Sequence, residues 1–323
     1  MISGKTIFIA PLDWGLGHAT RCVPVIKQLK QENKIIIGVT ALTKKVFDEE
    51  FPEIEQVKIP AYNVKYSKIL PLWLKLFFDW PGISTIIKQE NAVLQEITLK
   101  HKINVVISDN RFGMYSKNIH SIFITHQVFL KTPFAKGIAQ GINKNYILNF
   151  DEVWIPDLES EKESLSAELS HGKHFHPQIK YIGPQTRLKK IISLQIRYDH
   201  LFLLSGPEPQ HSVLREKLIL KAKEYPQLKF AMVTNKCDRQ IKNVEVFISP
   251  DVGKLSEIIS QSKSIICRSG YSTLMDLYLL DKKEMILIPT PGQTEQEYLG
   301  CYWKERFGAK VCKQKNISSF KFD

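Results

Sequence analysis

Three clusters in the sequence hold residues whose types and spacing suit bond-making chemistry. The first is WGLGH, residues 14–18, in which Gly15 and Gly17 precede His18. Glycine permits the positive φ and close backbone approach of a tight strand-to-helix turn. A histidine at the start of the helix that follows lies where the positive helix end disfavours imidazolium. Its ring therefore stays neutral and available as a base. The second cluster is CRSGYSTLMD, residues 267–276. Ser269, Gly270, Ser272 and Thr273 put hydroxyls and amides at a helix N-terminus, an arrangement suited to a diphosphate. Asp276 follows Ser272 by four residues on the same helix face, placed to accept hydrogen bonds from both hydroxyls of a ribose. Gln293 and Gln296, on the loop after IPTP, are placed to read sugar hydroxyls. A Ser/Thr-capped helix with no ligand is the plain alternative. The third cluster is SDNRFGMYS, 108–116, together with ITHQ, 124–127. Asp109, Asn110 and Arg111 are candidate acceptor contacts or the members of an Asx-type turn. His126 is a second base or a strand-end histidine.

These clusters need elements to hold them. Short apolar runs at 5–10, 34–39, 103–107, 120–124 and 152–155 alternate with amphipathic segments. The pattern restarts at 201–206, 229–234, 244–248, 264–267 and 284–289. Such alternation predicts an α/β protein with two doubly wound, Rossmann-like domains. The expected boundaries are residues 1–185, a linker at 186–198 and a second domain at 199–323. Ligands of doubly wound sheets bind at the carboxyl ends of the strands, which points to an interdomain cleft. A nicotinamide dinucleotide is not expected, because the third glycine of G-x-G-x-x-G is missing and no acidic residue ends the second strand.

At 43% hydrophobic and 24% charged residues the composition is that of a soluble globular protein. No apolar run approaches the roughly 18 residues needed to span a bilayer. Five scattered cysteines without a C-x-x-C pair argue for a reducing cytoplasm and against a zinc site. The net charge of +12 fits a lysine-rich surface, an anionic substrate or an anionic membrane face. Its dispersed distribution and the lack of a recognition motif argue against nucleic acid. The stretch YSKILPLWLKLFFDWPGIS, 66–84, is unusually apolar and carries two tryptophans. It reads as an inter-helix core element or as a segment lying at a bilayer interface. The cluster HGKHFHP, with His171, His174 and His176, lacks partners at ligand spacing and reads as a solvated loop.

Together the first two clusters resemble glycosyltransferase family 28, of the glycosyltransferase B fold. That group includes the lipid II-forming N-acetylglucosaminyltransferase and the plant galactolipid synthases. Arg268, Ser269, Gly270, Thr273 and Gln296 match the family pattern, while Asp276 stands for its ribose-holding glutamate and Glu297 for a second glutamine. Phe247 and Ile248 are similar to a Phe-Ile pair whose backbone recognises uracil, and GLGH resembles a glycine loop ending in a catalytic histidine. SGPEPQ, 205–210, keeps part of a phosphate loop. The family closes with a helix returning to the first domain, whereas VCKQKNISSFKFD reads as a shortened closing element.

The resemblance implies an inverting, metal-independent hexosyltransferase that uses a UDP-sugar. His18 would be its base, with Arg268 and helix N-termini facing the departing diphosphate. It implies no cofactor beyond the nucleotide sugar, and no D-x-D motif stands in the chain. A lipid-linked acceptor and peripheral contact through 66–84, at the inner face of the cytoplasmic membrane, are further expectations. Two alternatives remain open here. One is a nucleotide-sugar hydrolase of the pseudaminic acid pathway type, whose glycine-histidine loop is followed by Arg-Cys as in GHATRC. The other is a non-catalytic nucleotide-sugar-binding module.

Overall fold

The computed structural model describes residues 2–62, 80–132, 136–192, 195–236 and 241–322. Residues 66–79 of the apolar 66–84 stretch lie outside this set, as do 193 and 194 of the expected linker. The described residues fall into two compact units, and the division lies between Thr186 and Arg187.

The first unit is built on seven parallel strands: β1 (Thr6–Pro11), β2 (Lys34–Val39), β3 (Glu55–Lys58), β4 (Val105–Asp109), β5 (His120–Ile124), β6 (Glu152–Ile155) and β7 (Ile179–Tyr181). Their order is β3-β2-β1-β4-β5-β6-β7. The helices are α1 (Leu16–Leu29), α2 (Lys44–Glu50), α3 (Trp80–His101) and α4 (Lys136–Ile147). A strand covered on both faces reads as an unbroken apolar run, and β1 is one. Ile7 and Ile9 pack with Ile35, Ile37 and Ile107 against Ala19, Val23 and Ile26 of α1 and Phe47 of α2. Phe8 and Ala10 point the other way, onto Leu94 and Ile97 of α3. Gly38 interrupts the apolar run of β2 because a Cβ there would lie 2.8 Å from the Phe8 ring.

The second unit repeats the plan with six parallel strands: β8 (Tyr198–Leu203), β9 (Phe230–Thr234), β10 (Val244–Ile248), β11 (Ser262–Cys267), β12 (Met285–Leu287) and β13 (Lys310–Val311). Their order is β10-β9-β8-β11-β12-β13. Its helices are α5 (Gln210–Lys223), α6 (Val252–Ser260), α7 (Tyr271–Leu279) and α8 (Thr294–Phe307). The closing residues, expected to be a shortened family element, pack onto this same unit. A 3₁₀ turn at Gln314–Ser319 lies against α5, where Lys221 Nζ donates to the Ser318 carbonyl at 2.8 Å. Beyond it Phe322 joins Phe202 and Phe230 in the core.

In each sheet the order in which strands are added reverses beside the first strand, between β1 and β4 and between β8 and β11. Such a switch point opens a crevice at the carboxyl ends of its strands, where ligands of this fold bind. The loops that leave those strand ends carry the residues singled out from the sequence.

Candidate active site

In the first unit the register pairs Pro11 of β1 with Asp109 of β4, so the loops after both strands start side by side. Gly15, with φ 146°, caps α1 at its N-terminus without a side-chain hydrogen bond. One helical turn then places His18, Arg21 and Cys22 on a common face, because residues three and four apart are neighbours on a helix. All three converge on Asp109. His18 Nδ1 lies 2.8 Å from Asp109 Oδ1, and Arg21 Nε donates to Oδ2 at 2.6 Å. Arg21 Nη2 closes a second bond to Oδ1, and the Cys22 thiol donates to Oδ2 at 3.4 Å. From the end of β5, His126 brings its Nδ1 to 3.3 Å from Arg21 Nη1.

The hydrogen-bond pattern assigns the His18 tautomer. Arg21 Nη2 is also 2.9 Å from Nδ1, with one of its two N–H groups on Asp109 Oδ1; a lone pair on Nδ1 would accept the other but would face the carboxylate across 2.8 Å. Asp109 can only accept, so the 2.8 Å contact requires a proton on Nδ1. That leaves the lone pair on Nε2. Asp109 is wholly buried, whereas the His18 side chain keeps 19% of its surface exposed.

Charge sets the protonation states. Burial alone would raise the Asp109 carboxyl, but the Arg21 guanidinium and then His18 hold it well below the usual carboxylate range. Burial, then Arg21, lowers His18 from its ordinary value, and Asp109 only partly offsets them. With Arg21 and Asp109 already neutralising each other, an imidazolium would add net charge to a buried site. The result is a neutral, oriented imidazole, the arrangement a general base requires. Burial, and after it Asp109, raises the Cys22 thiol far above its ordinary value, which makes it an inert neighbour.

The other acceptor-side candidates have different places. Asn110 is half-buried and left-handed, with φ 57°. Arg111 is not an acceptor contact: it is fully buried and bound to Glu90, Asp13 and two backbone carbonyls. Asp109 faces α1 rather than an open surface. His126 is buried behind Arg21, so it supports the network and is not a second exposed base. Gly17 lies in the first turn of α1, next to the exposed Leu16. In the sequence Arg21 stands out only as half of the Arg-Cys pair of GHATRC, with no role in the site, although its spacing of three from His18 was the available signal.

In the second unit, Gly270 caps α7, and Ser272, Thr273 and Asp276 share its half-buried side while Tyr271, Leu274 and Met275 face inward. Gln293 is the N-cap of α8. Ser269 is tied to the first turn of α8, and Gln296, in that turn, to the loop before it. The buried Ser269 hydroxyl donates to the Gln296 carbonyl at 2.7 Å, and Gln296 Oε1 accepts from the Thr290 amide at 2.9 Å. Arg268, expected to face a diphosphate, is instead buried. Its guanidinium donates to the carbonyls of Ile288 at 3.1 Å and Gln210 at 3.0 Å, and to Gln314 Oε1 at 2.6 Å. Burial lowers its pKa to about 10. It locks the loop after β12, the start of α5 and the closing 3₁₀ turn together. Phe247 and Ile248 end the edge strand β10, paired with Val233 and Thr234, and Ile248 is exposed.

The histidine cluster is not a solvated loop. His171 and His176 are buried, the first bonded to Ser170 Oγ at 2.7 Å and the second spanning the carbonyls of Gln178 and Phe150. Among the described residues no group of three or more His, Cys, Asp or Glu is placed to hold a metal ion. Among the same residues no helix is long and apolar enough to cross a membrane.

Residues 188–322 match the glycosyltransferase family 28 C-terminal domain. No curated protein matches the chain in sequence. Several solved structures match it in fold. The spinosyn rhamnosyltransferase SpnG, complexed with thymidine diphosphate, superposes with a TM-score of 0.65 at 8% identity, covering 98% of this chain and 90% of its own. MurG of Acinetobacter baumannii gives 0.57 at 12% identity, over 96% and 86%. A UDP-glucosyltransferase from Polygonum tinctorium gives 0.62 at 11% identity, over 94% and 83%. The two parallel α/β units have the fold of these glycosyltransferases, and residues 188–322, the second unit, match the glycosyltransferase family 28 C-terminal domain.

Proposed function

We propose that the protein moves a hexosyl or N-acetylhexosaminyl group from a UDP-sugar to an acceptor hydroxyl, in a single inverting displacement that needs no metal. The observation that carries this reading is the His18 ring at the start of α1, held at Nδ1 2.8 Å from the buried Asp109 carboxylate with its Nε2 side free of that carboxylate. In the reaction Nε2 takes the proton of the acceptor hydroxyl as its oxygen attacks the anomeric carbon. The bond from that carbon to the diphosphate breaks, and its electron pair leaves with the diphosphate. The amides at the start of α7 are suited to the diphosphate, and Asp276 to the ribose. Arg268 acts from within, holding the loops around that helix start. The ends of β10, Phe247 and Ile248, face the uracil in this reading. Exposed Leu16 beside His18 supports an apolar acceptor, such as a lipid-linked one at an anionic membrane surface.

Calorimetric titration with UDP, GDP and dTDP, with and without magnesium, tests the donor half. Selective UDP binding that magnesium does not change is the expected result, and no binding to any of the three overturns it. Product analysis tests the chemistry. Transfer to an added acceptor, with inversion seen by NMR, is expected. Release of free sugar with every acceptor tried would turn the reading to hydrolysis, with water in the acceptor's place.

A further inference from the structure

The left-handed Asn110 turn separates two buried arginine networks, and the chemistry above uses only one. Asp109, before the turn, meets His18 and Arg21. Arg111, after it, is fully buried on the other side. Its Nε donates to the Pro11 carbonyl at 2.8 Å and its Nη2 to Asp13 Oδ1 at 3.1 Å. Its Nη1 donates to the Pro60 carbonyl at 2.8 Å and to Glu90 Oε1 at 2.6 Å. Glu90 Oε2 in turn accepts from the Tyr62 hydroxyl at 2.9 Å and the Gly113 amide at 3.0 Å. Asp13 Oδ1 also accepts from the Tyr62 amide at 3.3 Å.

Stability alone is a poor reason for this knot. Desolvating an arginine and two carboxylates costs several kcal/mol, and well-packed apolar residues often hold a core as well. What the knot does supply is position. Four segments meet at Arg111: the end of β1, the loop after β3, α3 and the loop after β4. The first of these runs directly through Asp13 into Gly15 and His18. The loop is held in part by the Leu12 amide, which donates to the Asp109 carbonyl at 2.9 Å, and by Trp14, packed edge-on against Tyr62. Asp13 adds a charged tether just before Gly15, where α1 starts without a side-chain cap, and Arg111 holds Asp13.

We propose that Arg111 is a positioning residue which, through Asp13, fixes the glycine loop so that His18 meets Asp109 in a single tautomer. The kinetic consequence rests on the reading of His18 as the base, whereas the tautomer does not. The test compares Asp13→Ala, Asp13→Asn and Arg111→Lys with the wild-type chain. Asp13→Ala removes the tether and leaves the Arg111–Glu90 pair intact. Asp13→Asn keeps an acceptor oxygen at the tether. Arg111→Lys keeps the charge but cannot reach acceptors at both ends of a planar fork.

Imidazole ¹⁵N shifts of His18 are expected to report a fixed Nδ1–H form in the wild type. Averaged tautomers are expected in Asp13→Ala and Arg111→Lys, with recovery in Asp13→Asn. In transfer assays kcat should fall about 10- to 100-fold in the first two, as misplacement of a reacting group by about 1 Å does. The donor KM should stay unchanged. A folded Asp13→Ala protein with the wild-type tautomer and wild-type kcat would overturn the proposal. Should Arg111→Lys fail to fold, the two Asp13 variants decide the matter. If the wild type transfers no sugar to any acceptor, the proposed function fails while the ¹⁵N shifts still decide the tether.

Discussion

His18 Nδ1 and Asp109 Oδ1 lie 2.8 Å apart although 91 residues separate them in sequence. The parallel pairing of β1 with β4 brings them together, because it starts both loops at the same edge. Arg21, from the same helix, bonds both carboxylate oxygens, so the dyad is buried as a nearly neutral unit with the imidazole at its rim.

Replacing His18 by alanine should lower kcat by about 10²- to 10⁴-fold, the usual worth of a general base. The affinity for nucleotide should not change, because the residues assigned to it belong to the second unit. Single-turnover kinetics and calorimetry on the same preparation check both statements.

The acid limb of kcat/KM should have its midpoint below the ordinary histidine value of 6.5, since burial and Arg21 disfavour the protonated ring. Activity needs neutral His18, so it falls as pH drops through that midpoint. Stability changes with the same sign. The unfolded chain takes up this proton first, so stability declines as pH falls below about 6.5 and levels off below the folded-state pKa. Denaturant unfolding from pH 8 to 5 should show this dependence in the wild type and less of it in His18→Gln.

Asp109→Asn is expected to harm both structure and rate. It leaves the buried Arg21 without its carboxylate, a loss of about 3–5 kcal/mol for a broken buried pair. It also replaces the acceptor-only carboxylate that fixes the His18 proton with an amide whose NH2 can donate to Nδ1 in the other tautomer, and rates fall on the order of 10⁴-fold when such a partner is changed to asparagine. Thermal unfolding and kcat measured together separate the two effects.

Asp276→Ala should weaken UDP binding about tenfold, equivalent to ~1.4 kcal/mol, by deleting a charged acceptor for ribose hydroxyls. Binding of uracil alone should be unaffected. Equal UDP affinities in variant and wild type would remove Asp276 from the donor site.

Arg268→Met should behave as a core lesion. The Ile288 and Gln210 carbonyls and Gln314 lose their donor at once, and each buried group left unpaired costs about 1–3 kcal/mol. The melting temperature should drop clearly. A variant with wild-type stability but lost nucleotide binding would instead make Arg268 a direct phosphate contact.

The long apolar runs made most of the fold legible. VEVFI marks β10 at its observed bounds, and KIIIGV marks β2. The strands that sequence missed are β3, β7 and β13, at the edges of their sheets or short, where EQVK and IKY carry no apolar signature. Within the site, His18 and Asp109 were legible as types, but their pairing depends on strand register and is invisible in a linear pattern. Arg111 was read as an acceptor contact from its place in the loop after a strand, and Arg268 as facing a diphosphate from the family resemblance. Only the folded chain shows that backbone carbonyls from distant segments surround them. His171 and His176 were misjudged for the same reason: polar residues pass for surface until their buried partners are known.

The order of strands also bears on how the chain comes off the ribosome. In the first unit β1 lies inside the sheet beside the central strand β4, which ends only at Asp109, so that pairing waits until the chain has been made as far as Asp109. Until then β1 exposes a bare apolar edge, the kind of surface that chaperones hold and that aggregates when crowded. The second unit faces the same delay between β8 and β11 over a shorter span. Synthesis rate and early chaperone contact are therefore expected to govern the yield of the first half more than that of the second.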